Sequence, residues 1–158
     1  MTVAFHELLD ETAQRAFGIT EPAPLAMADR VHHDDLDTLM HVNNTRYFVW
    51  FERLRIHVMS HYGIGTLDNW DGPRIVLRGG EVRFIEEMLN GETYVVTTRV
   101  SRFRNTSFTV DQAIWSAGRK RATFEAVMVL LTQDGAGRVP LSDAVKQTFL
   151  AEGAIQDG

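Results

Sequence analysis

The chain has 158 residues, 44% of them hydrophobic, and a formal net charge of -5 at pH 7. The acidic balance argues against a general nucleic-acid binder, because contacts to phosphates require a basic face. The sequence contains no cysteine, which excludes disulfides and thiolate chemistry.

This length suffices for one domain with a sizeable core, so we expect a single domain over residues 1–158. Residues 1–24 are expected to form a helical N-terminal extension, and residues 153–158 a flexible tail. The first residues include His6, Glu7, Asp10 and Glu11, which is not typical of a secretory signal. With no apolar run long enough to span a bilayer, we expect a soluble, cytoplasmic protein that does not bind membranes.

The N-terminal part predicts one short helix and one strand. Apolar residues repeat at helical spacing over Ala4–Phe17, and Gly18 followed by two prolines ends the pattern. Leu25–His33 predicts a first strand, although its alternation of apolar and polar residues is poor.

A long amphipathic helix is predicted from Asn44 to His61, with Asn43 or Asn44 as its cap and Gly63 as its stop. It would contain about eighteen residues and measure roughly 27 Å. The apolar positions recur every three or four residues, namely Tyr47, Phe48, Phe51, Leu54 and Val58.

The second half of the chain predicts a meander of strands. Ile64–Arg74 reads as a loop around Trp70, and Ile75–Leu77 as a short strand. From Gly79 onward the hydrophobic period becomes two. Turns separate the four strands at Asn90-Gly91, Arg104-Asn105-Thr106 and Ala117-Gly118. A final helix is predicted over Pro140–Ala151, and a frayed tail over Gly153–Gly158.

These elements predict an α+β fold in which a curved antiparallel sheet wraps around one central helix. The alternative is a cone-shaped sheet packed on several N-terminal helices, which is disfavoured because only one long helix is predicted there. Open sheet edges are a liability that pairing with a second copy removes, so we expect a homodimer or homotetramer.

Two carboxylates and an imidazole, Asp35, Asp37 and His41, come directly before the long helix. An acidic side chain at a helix N-terminus either caps the helix or serves as a reagent. Spacing alone favours the structural role for Asp37, and a structural role is also expected for Asp35. The His32-His33 pair suggests a metal site with His41, but adjacent strand residues point to opposite faces and so disfavour it.

The residues Asp35-x-Asp37-x-x-x-His41-Val42-Asn43-Asn44-x-x-Tyr47, followed by Phe51-Glu52-x-x-Arg55, resemble a family signature. It is that of the hotdog-fold acyl-CoA thioesterases, the 4-hydroxybenzoyl-CoA thioesterase-like group, to which plant acyl-carrier-protein thioesterases are related. The resemblance implies the hotdog fold and hydrolysis of an acyl-CoA, or of an acyl-carrier-protein thioester. It implies no metal and no cofactor other than the CoA of the substrate.

The resemblance also assigns roles within the motif. Asp37 would be the nucleophile or the general base, and His41 would lie near the scissile carbonyl. Backbone N–H groups around Met40, His41 and Val42 would form the oxyanion site. The chain departs from the family at Met40, where many members have glycine, and at Leu39, where plant enzymes have asparagine.

Further residues are candidates for substrate contacts. Asn44 is a helix cap or a substrate contact, and Glu52, which we expect to pair with Arg55, is a reserve catalytic carboxylate. An acidic chain needs local cations to hold the phosphates of CoA. The hairpin that provides them is predicted to consist of Arg102, Arg104, Asn105, Thr106 and Ser107. A second basic hairpin, Arg119–Arg121, is expected to be solvated.

Two other functions remain open from the sequence. One is a hydratase or dehydratase on the same fold, in which a carboxylate and a histidine move a proton and water onto an enoyl thioester. The other is a non-catalytic acyl-thioester binding module, in which Met40 blocks turnover.

Overall fold

The computed structural model describes residues 2–65 and 72–158, so the predicted loop residue Trp70 lies outside the described residues. These described residues contain four α-helices: α1 (Glu11–Phe17), α2 (Asn44–Arg55), α3 (Val58–His61) and α4 (Asp143–Ala151). They also contain six strands: β1 (Leu25–Arg30), β2 (Arg74–Phe84), β3 (Thr93–Phe103), β4 (Ser107–Ser116), β5 (Arg119–Leu131) and β6 (Ile155–Gln156).

The strands form one sheet in the order β1-β3-β4-β5-β2, and β6 pairs with β3 outside this path. β1 runs antiparallel to β3, with Leu25 opposite Thr98. Ala117 and Gly118, at the β4–β5 turn, both have positive φ, as a two-residue type I′ hairpin requires. The predicted succession of β3, β4 and β5 is confirmed, but the predicted four-strand meander is wrong at its first strand, because β2 lies beside β5 and not beside β3.

The contacts within the chain define two compact units. The first contains Met1–Arg55, Val82–Arg99 and Gln112–Phe124. In this unit the N-terminal segment packs on the sheet and forms a buried hydrophobic cluster with it. The cluster consists of Leu9, Ile19, Ala26, Ala28, Val95, Ala113 and Trp115. Gln14 is buried in the middle of α1, where its side-chain amide donates to the Leu9 and Ala23 carbonyls and accepts the Ala23 N–H.

The second unit contains Ile56–Glu81, Val100–Asp111 and Glu125–Gly158. Its core is built around Phe149 of α4. The ring centroids of Tyr62, Phe103 and Phe108 lie 4.9, 5.4 and 5.6 Å from that of Phe149.

The first helix begins later than predicted. α1 starts at Glu11, where the Asp10 side chain accepts the Ala13 N–H at 2.8 Å, and it ends at Gly18 with a φ of 102°. Before it, Phe5 and Leu8 form isolated bridges with β1. Their apolar side chains matched a helical period, but pairing with the sheet determines the backbone.

The long central helix is also shorter than predicted. α2 ends at Arg55, and α3 is a separate turn of four residues. In the last turn of α2 the Phe51 carbonyl accepts from the Gln112 amide at 2.9 Å, and Arg55 donates to the same side chain at 3.0 Å. These long-range bonds tie the last turn of α2 to β4, and sequence periodicity does not show them.

Three further boundaries differ from the predictions. β2 continues from Arg74 through the two glycines to Phe84 as one strand. α4 begins at Asp143, because the Ser142 hydroxyl accepts the Val145 N–H. The predicted frayed tail is wrong, since Ile155 and Gln156 pair in parallel with β3.

Within the described ranges, none of the helices has the length and apolar character needed to cross a membrane.

Candidate active site

The segment between β1 and α2 forms a tight loop that carries the motif. Leu36 and Val42 form an antiparallel bridge. Inside it, the Asp37 N–H donates to the His41 carbonyl at 2.8 Å, and the Met40 N–H donates to the Asp37 carbonyl at 3.0 Å. Asp37 and His41 are thus held at the two ends of one turn.

Met40 adopts a φ of 62°, in the left-handed region that favours glycine. This explains the glycine that the resemblance led us to expect at this position. The Met40 side chain is exposed. The turn therefore forms with a methionine, at a cost in backbone strain.

Asp37 is half-buried, and its Oδ1 accepts the Leu39 N–H at 2.8 Å. In the part of the chain that the structure describes, its Oδ2 has no hydrogen-bond partner. The carboxylate is thus oriented by one oxygen, and the other remains available for chemistry.

His41 pairs with Glu87, a residue that the sequence analysis missed. The distance from His41 Nδ1 to Glu87 Oε2 is 3.0 Å, and the two side chains are 37% and 59% exposed. A carboxylate on one ring nitrogen fixes the orientation of the imidazole and leaves Nε2 for a substrate. No local pattern indicated Glu87, because it comes from the turn after β2.

The amides predicted to form the oxyanion site are only partly available. Met40 donates to Asp37, and Val42 donates to the Met88 carbonyl at 2.9 Å. Among the described residues, the His41 N–H has no acceptor. The oxyanion donor that this loop can offer is therefore His41 rather than Met40 or Val42.

Of the two asparagines predicted as caps of α2, Asn43 is the one that caps the helix. The Asn43 side chain accepts the Thr45 N–H at 2.9 Å, whereas Asn44 is the exposed first residue of the helix. Asp35 is buried, accepts Arg46 Nε at 2.7 Å and accepts the His32 N–H at 2.8 Å. Both Asn43 and Asp35 thus have structural contacts.

Glu52 is exposed on α2. The expected ion pair with Arg55 does not form within 4.0 Å among the described residues, because Arg55 is buried against Gln112. Burial lowers the pKa of Arg55, and the charge of Glu52 opposes that shift.

Tyr47, on the buried face of α2, lies in the field of Glu87. Burial raises the pKa of Tyr47 to about 12, Arg121 opposes the shift, and Glu92 and Glu87 add to it. The Tyr47 hydroxyl is therefore protonated at neutral pH.

A separate groove of about 520 Å³ lies in the second unit. Of the predicted hairpin, Arg102, Arg104 and Ser107 line it, together with Arg78, which the sequence analysis did not single out. Glu125 and Asp157 line it too, and Arg102 lies 3.5 Å from Asp157. The groove therefore holds three guanidinium groups against two carboxylates.

The other two hairpin residues have bonds within the protein. The Asn105 side chain accepts Lys146 Nζ at 3.1 Å, and the Thr106 carbonyl accepts the Leu130 N–H at 3.0 Å. Neither lines the groove.

In the second basic hairpin Arg119 is exposed, as expected, whereas Arg121 is buried. Arg119 bonds Glu86, and Lys120 bonds Glu21. Arg121 is buried and bonds Glu92 at 2.9 Å.

No group of three or more His, Cys, Asp or Glu side chains in the described residues could hold a metal ion.

The comparisons with known proteins now identify the class. Residues 31–149 match the thioesterase-like superfamily, so the chain belongs to this family. The predicted relationship to hotdog-fold thioesterases, the α+β hotdog fold included, is confirmed. Thioester hydrolysis is the general activity that this family supports.

Three solved structures illustrate the relationship. A thioesterase-superfamily protein from Jannaschia sp. CCS1 is 36% identical, covers 99% of this chain and 100% of its own, and superposes with a TM-score of 0.91. A predicted thioesterase from Bacillus stearothermophilus is 26% identical over 84% and 98% of the two chains, with a TM-score of 0.71. A thioesterase from Thermus thermophilus, complexed with coenzyme A and Zn, is 25% identical over 80% and 98%, with a TM-score of 0.68. No curated protein matches the chain.

Proposed function

We propose that the chain hydrolyses an acyl-CoA thioester to the free carboxylic acid and CoA, with Asp37 as the reacting carboxylate. The observation that carries this proposal is the loop before α2. It holds one carboxylate oxygen of Asp37 without a partner and orients the His41 imidazole on Glu87. The family supplies the class of reaction. The Thermus relative, whose structure contains coenzyme A, supports CoA as the thiol.

Two routes fit this arrangement. In the first, Asp37 attacks the carbonyl carbon, the C–S bond breaks and CoA leaves as the thiolate, and water then hydrolyses the acyl-aspartyl anhydride to the acid and restores Asp37. In the second, Asp37 takes a proton from a water that attacks the carbonyl directly. In both, the backbone N–H of His41 is the proposed donor to the carbonyl oxygen, and the His41 imidazole is proposed to lie near the scissile carbonyl. Water is the co-substrate, so neither route calls for a metal or a redox cofactor.

The main test is thiol release from short, long, branched and aryl acyl-CoAs. Asp37→Asn should lower kcat by about a hundredfold or more, because the amide neither attacks nor accepts a proton. Asp34→Asn is the matched control, since Asp34 is an exposed aspartate of the same segment. Normal hydrolysis by Asp37→Asn refutes the assignment, and acyl-CoA binding without thiol release from any substrate refutes hydrolysis.

The two routes are separated by a single turnover in ¹⁸O-labelled water with enzyme in excess. If Asp37 is the nucleophile and water opens the anhydride at the Asp37 carboxyl carbon, the first product contains unlabelled oxygen from the protein, and a peptide containing Asp37 gains the label. General-base catalysis, like water attack at the acyl carbon of the anhydride, puts the label in the acid and leaves the peptide unlabelled. A labelled Asp37 peptide therefore identifies the nucleophilic route.

We propose that the Arg78, Arg102 and Arg104 groove binds the phosphates of CoA. Guanidinium groups pair well with phosphate oxygens, and the groove is locally cationic in an acidic chain. Asn105 and Thr106 then support the hairpin rather than contact the ligand.

We also propose a homodimer formed through β2. The β1 edge of the sheet is occupied by Phe5 and Leu8, whereas β2 ends the strand order and is largely exposed, Leu77 and Phe84 included. A long open edge of this kind favours pairing. Leu77→Lys should shift the protein to monomer in light scattering, and an unchanged mass would contradict this interface.

A further inference from the structure

The loop before α2 is closed by a short ladder of backbone hydrogen bonds. At the base of the ladder the Asn43 N–H donates to the Asp35 carbonyl at 2.8 Å. At its far end the Asp37 N–H donates to the His41 carbonyl, also at 2.8 Å, and the antiparallel bridge of this loop lies between the two bonds. The position of Asp37 therefore depends on the contacts that hold Asp35 at the base.

The Asp35 carboxylate is attached to α2 through the side chain of Arg46. Arg46 Nε donates to Asp35 Oδ1 at 2.7 Å, and Asp35 Oδ2 accepts the His32 N–H at 2.8 Å. The Asp35 side chain is only 4% exposed, so water does little to replace a lost partner. A buried carboxylate without its cation is costly, because its charge is then desolvated without compensation. The ion pair thus joins the base of the loop to the first turn of α2.

Asp35, Asn43 and Arg46 form a closed ring of contacts. The Arg46 N–H donates to the Asn43 carbonyl at 2.9 Å, which adds to the Asn43–Asp35 backbone bond and to the Arg46–Asp35 ion pair. Each of the three residues is therefore held by the other two. Of the three contacts, the ion pair is the one that a side-chain substitution removes without changing the backbone bonds.

A second ion pair attaches α2 to β1 and offers a comparison. Arg53 Nη1 donates to Asp29 Oδ2 at 2.9 Å, and the two side chains are 43% and 12% exposed, against 37% and 4% for Arg46 and Asp35. Asp29 also accepts the Arg30 N–H and lies 2.8 Å from His6 Nε2, both outside the loop. Two similar arginine–aspartate pairs thus hold the same helix, and among the described contacts only that of Arg46 reaches the loop.

We propose that Arg46 is a positioning residue for thioester hydrolysis, which acts through Asp35 to hold the Asp37 carboxylate in place for its reaction. The inference rests on the proposed function, in which Asp37 reacts with the thioester or with water. A displacement of about 1 Å at a reacting group can lower a rate by about a hundredfold. Arg46 does not line the groove proposed for the CoA phosphates, so its loss should lower kcat and change KM little.

The test is the steady-state kinetics of thiol release from the preferred acyl-CoA. Arg46→Met keeps an apolar stem but has no donor, and it should lower kcat by about tenfold or more while KM changes less than about threefold. Arg46→Lys should keep kcat within about threefold of the wild type. The pair uses a single N–H of Arg46, and the lysine Nζ lies one bond beyond the position of Nε, so it still reaches Asp35.

Arg53→Met is the matched control, and a double variant separates positioning from stability. Arg53→Met should lower the melting temperature, because Asp29 loses a cation, but kcat should stay within about twofold of the wild type. In Asp35→Asn/Arg46→Met the buried charge is removed together with its partner, and the asparagine still accepts the His32 N–H. The double variant should therefore melt above Arg46→Met. Its kcat should remain low, because the loop is still not joined to the helix.

The outcomes distinguish this inference from the proposed function. If Asp37→Asn is inactive but Arg46→Met keeps the wild-type kcat, the proposed function stands and the positioning role is overturned. The role is also overturned if Arg53→Met loses as much kcat as Arg46→Met, or if kcat recovers with the melting temperature in the double variant, because Arg46 would then matter for stability alone. Normal hydrolysis by Asp37→Asn refutes the proposed function and this inference with it.

Discussion

Arg121 holds the turn that presents Glu87. Its Nη1 donates to the Glu87 carbonyl at 2.8 Å, and its own carbonyl accepts the N–H groups of Ile85 and Glu86 at 2.8 and 3.1 Å. Arg121 is 4% exposed, so this contact is shielded from water. The position of Glu87 relative to His41 therefore depends on one buried arginine of β5.

Replacement of Arg121 by methionine should lower both stability and activity. The change removes the cationic partner of the Glu92 carboxylate and releases the Glu87 turn, so we expect a loss of about 2–4 kcal/mol in the free energy of unfolding. Urea unfolding and thiol-release assays measure the two effects. Lys120→Met, which removes a surface ion pair with Glu21, should change stability by about 0.5 kcal/mol or less. Unchanged kcat in a folded Arg121→Met protein would show that the turn is positioned by other contacts.

Glu87→Gln should lower kcat/KM for the preferred acyl-CoA by about tenfold or more at neutral pH. The amide can still accept a hydrogen bond from His41 but does not stabilise a positive charge on the imidazole. Steady-state kinetics of Glu86→Gln give the control, because Glu86 is the adjacent glutamate and bonds Arg119 instead. Equal losses in the two variants would argue that the effect is structural.

Met40→Gly should raise the free energy of unfolding by at most about 1 kcal/mol. Glycine relieves the positive φ, and its greater freedom in the unfolded chain offsets part of that gain. Met40→Ala keeps the strained backbone and serves as the control for loss of the side chain. If alanine stabilises the protein as much as glycine does, the strain at this turn is not the cause.

Charge reversal at Arg102 and Arg104 should raise KM for acyl-CoA much more than KM for the same acyl group on pantetheine, which lacks the nucleotide phosphates. The expected rise is about tenfold or more for the double variant, because a groove with two more acids repels phosphate. Arg138→Glu tests whether any basic residue has this effect, since Arg138 does not line the groove. An equal rise in KM for both thioesters would show that the effect does not involve the nucleotide phosphates.

Asp29 should make the protein acid-sensitive. Burial alone raises the pKa of this carboxyl, but the His6 hydrogen bond, the Arg30 N–H and the charges of His6 and Arg53 outweigh it and hold the pKa below its ordinary value of 3.8. A carboxyl whose pKa is lower in the folded than in the unfolded state stabilises the protein at any pH above its unfolded-state pKa. This contribution is lost as the pH falls from the unfolded-state pKa through the folded-state pKa. The free energy of unfolding of Asp29→Asn should therefore fall less steeply than that of the wild type below about pH 4. Parallel curves in urea titrations at several pH values would contradict this linkage.

The sequence predicted the parts of the fold that depend on local pattern. Strict alternation identified β3, β4 and β5, and Ala117-Gly118 marked the hairpin between the last two. The motif from Asp35 to Tyr47 identified the family, because its spacing is fixed by the loop and the start of α2. These features depend on residues that are close together in the sequence.

The parts that sequence reasoning missed depend on contacts between distant residues. Gln112 bonds the last turn of α2, Glu87 meets His41 across the fold, and Ile155 and Gln156 pair with β3. Sequence reasoning also could not tell which backbone amides are free to bind an oxyanion, because only the structure shows that Met88 accepts the Val42 N–H. No periodicity or motif carries this information.

The pairing of β6 with β3 has a practical consequence for kinetic work. Asp157 follows β6 directly, donates its N–H to the Phe103 carbonyl at 2.8 Å and contributes one of the groove's two carboxylates. A purification tag fused after Gly158 therefore begins beside the arginines of the groove, where its own charges act on any incoming nucleotide. Affinities measured with a histidine tag at that end will differ from those of protein tagged before Thr2, and the latter arrangement is the one to use.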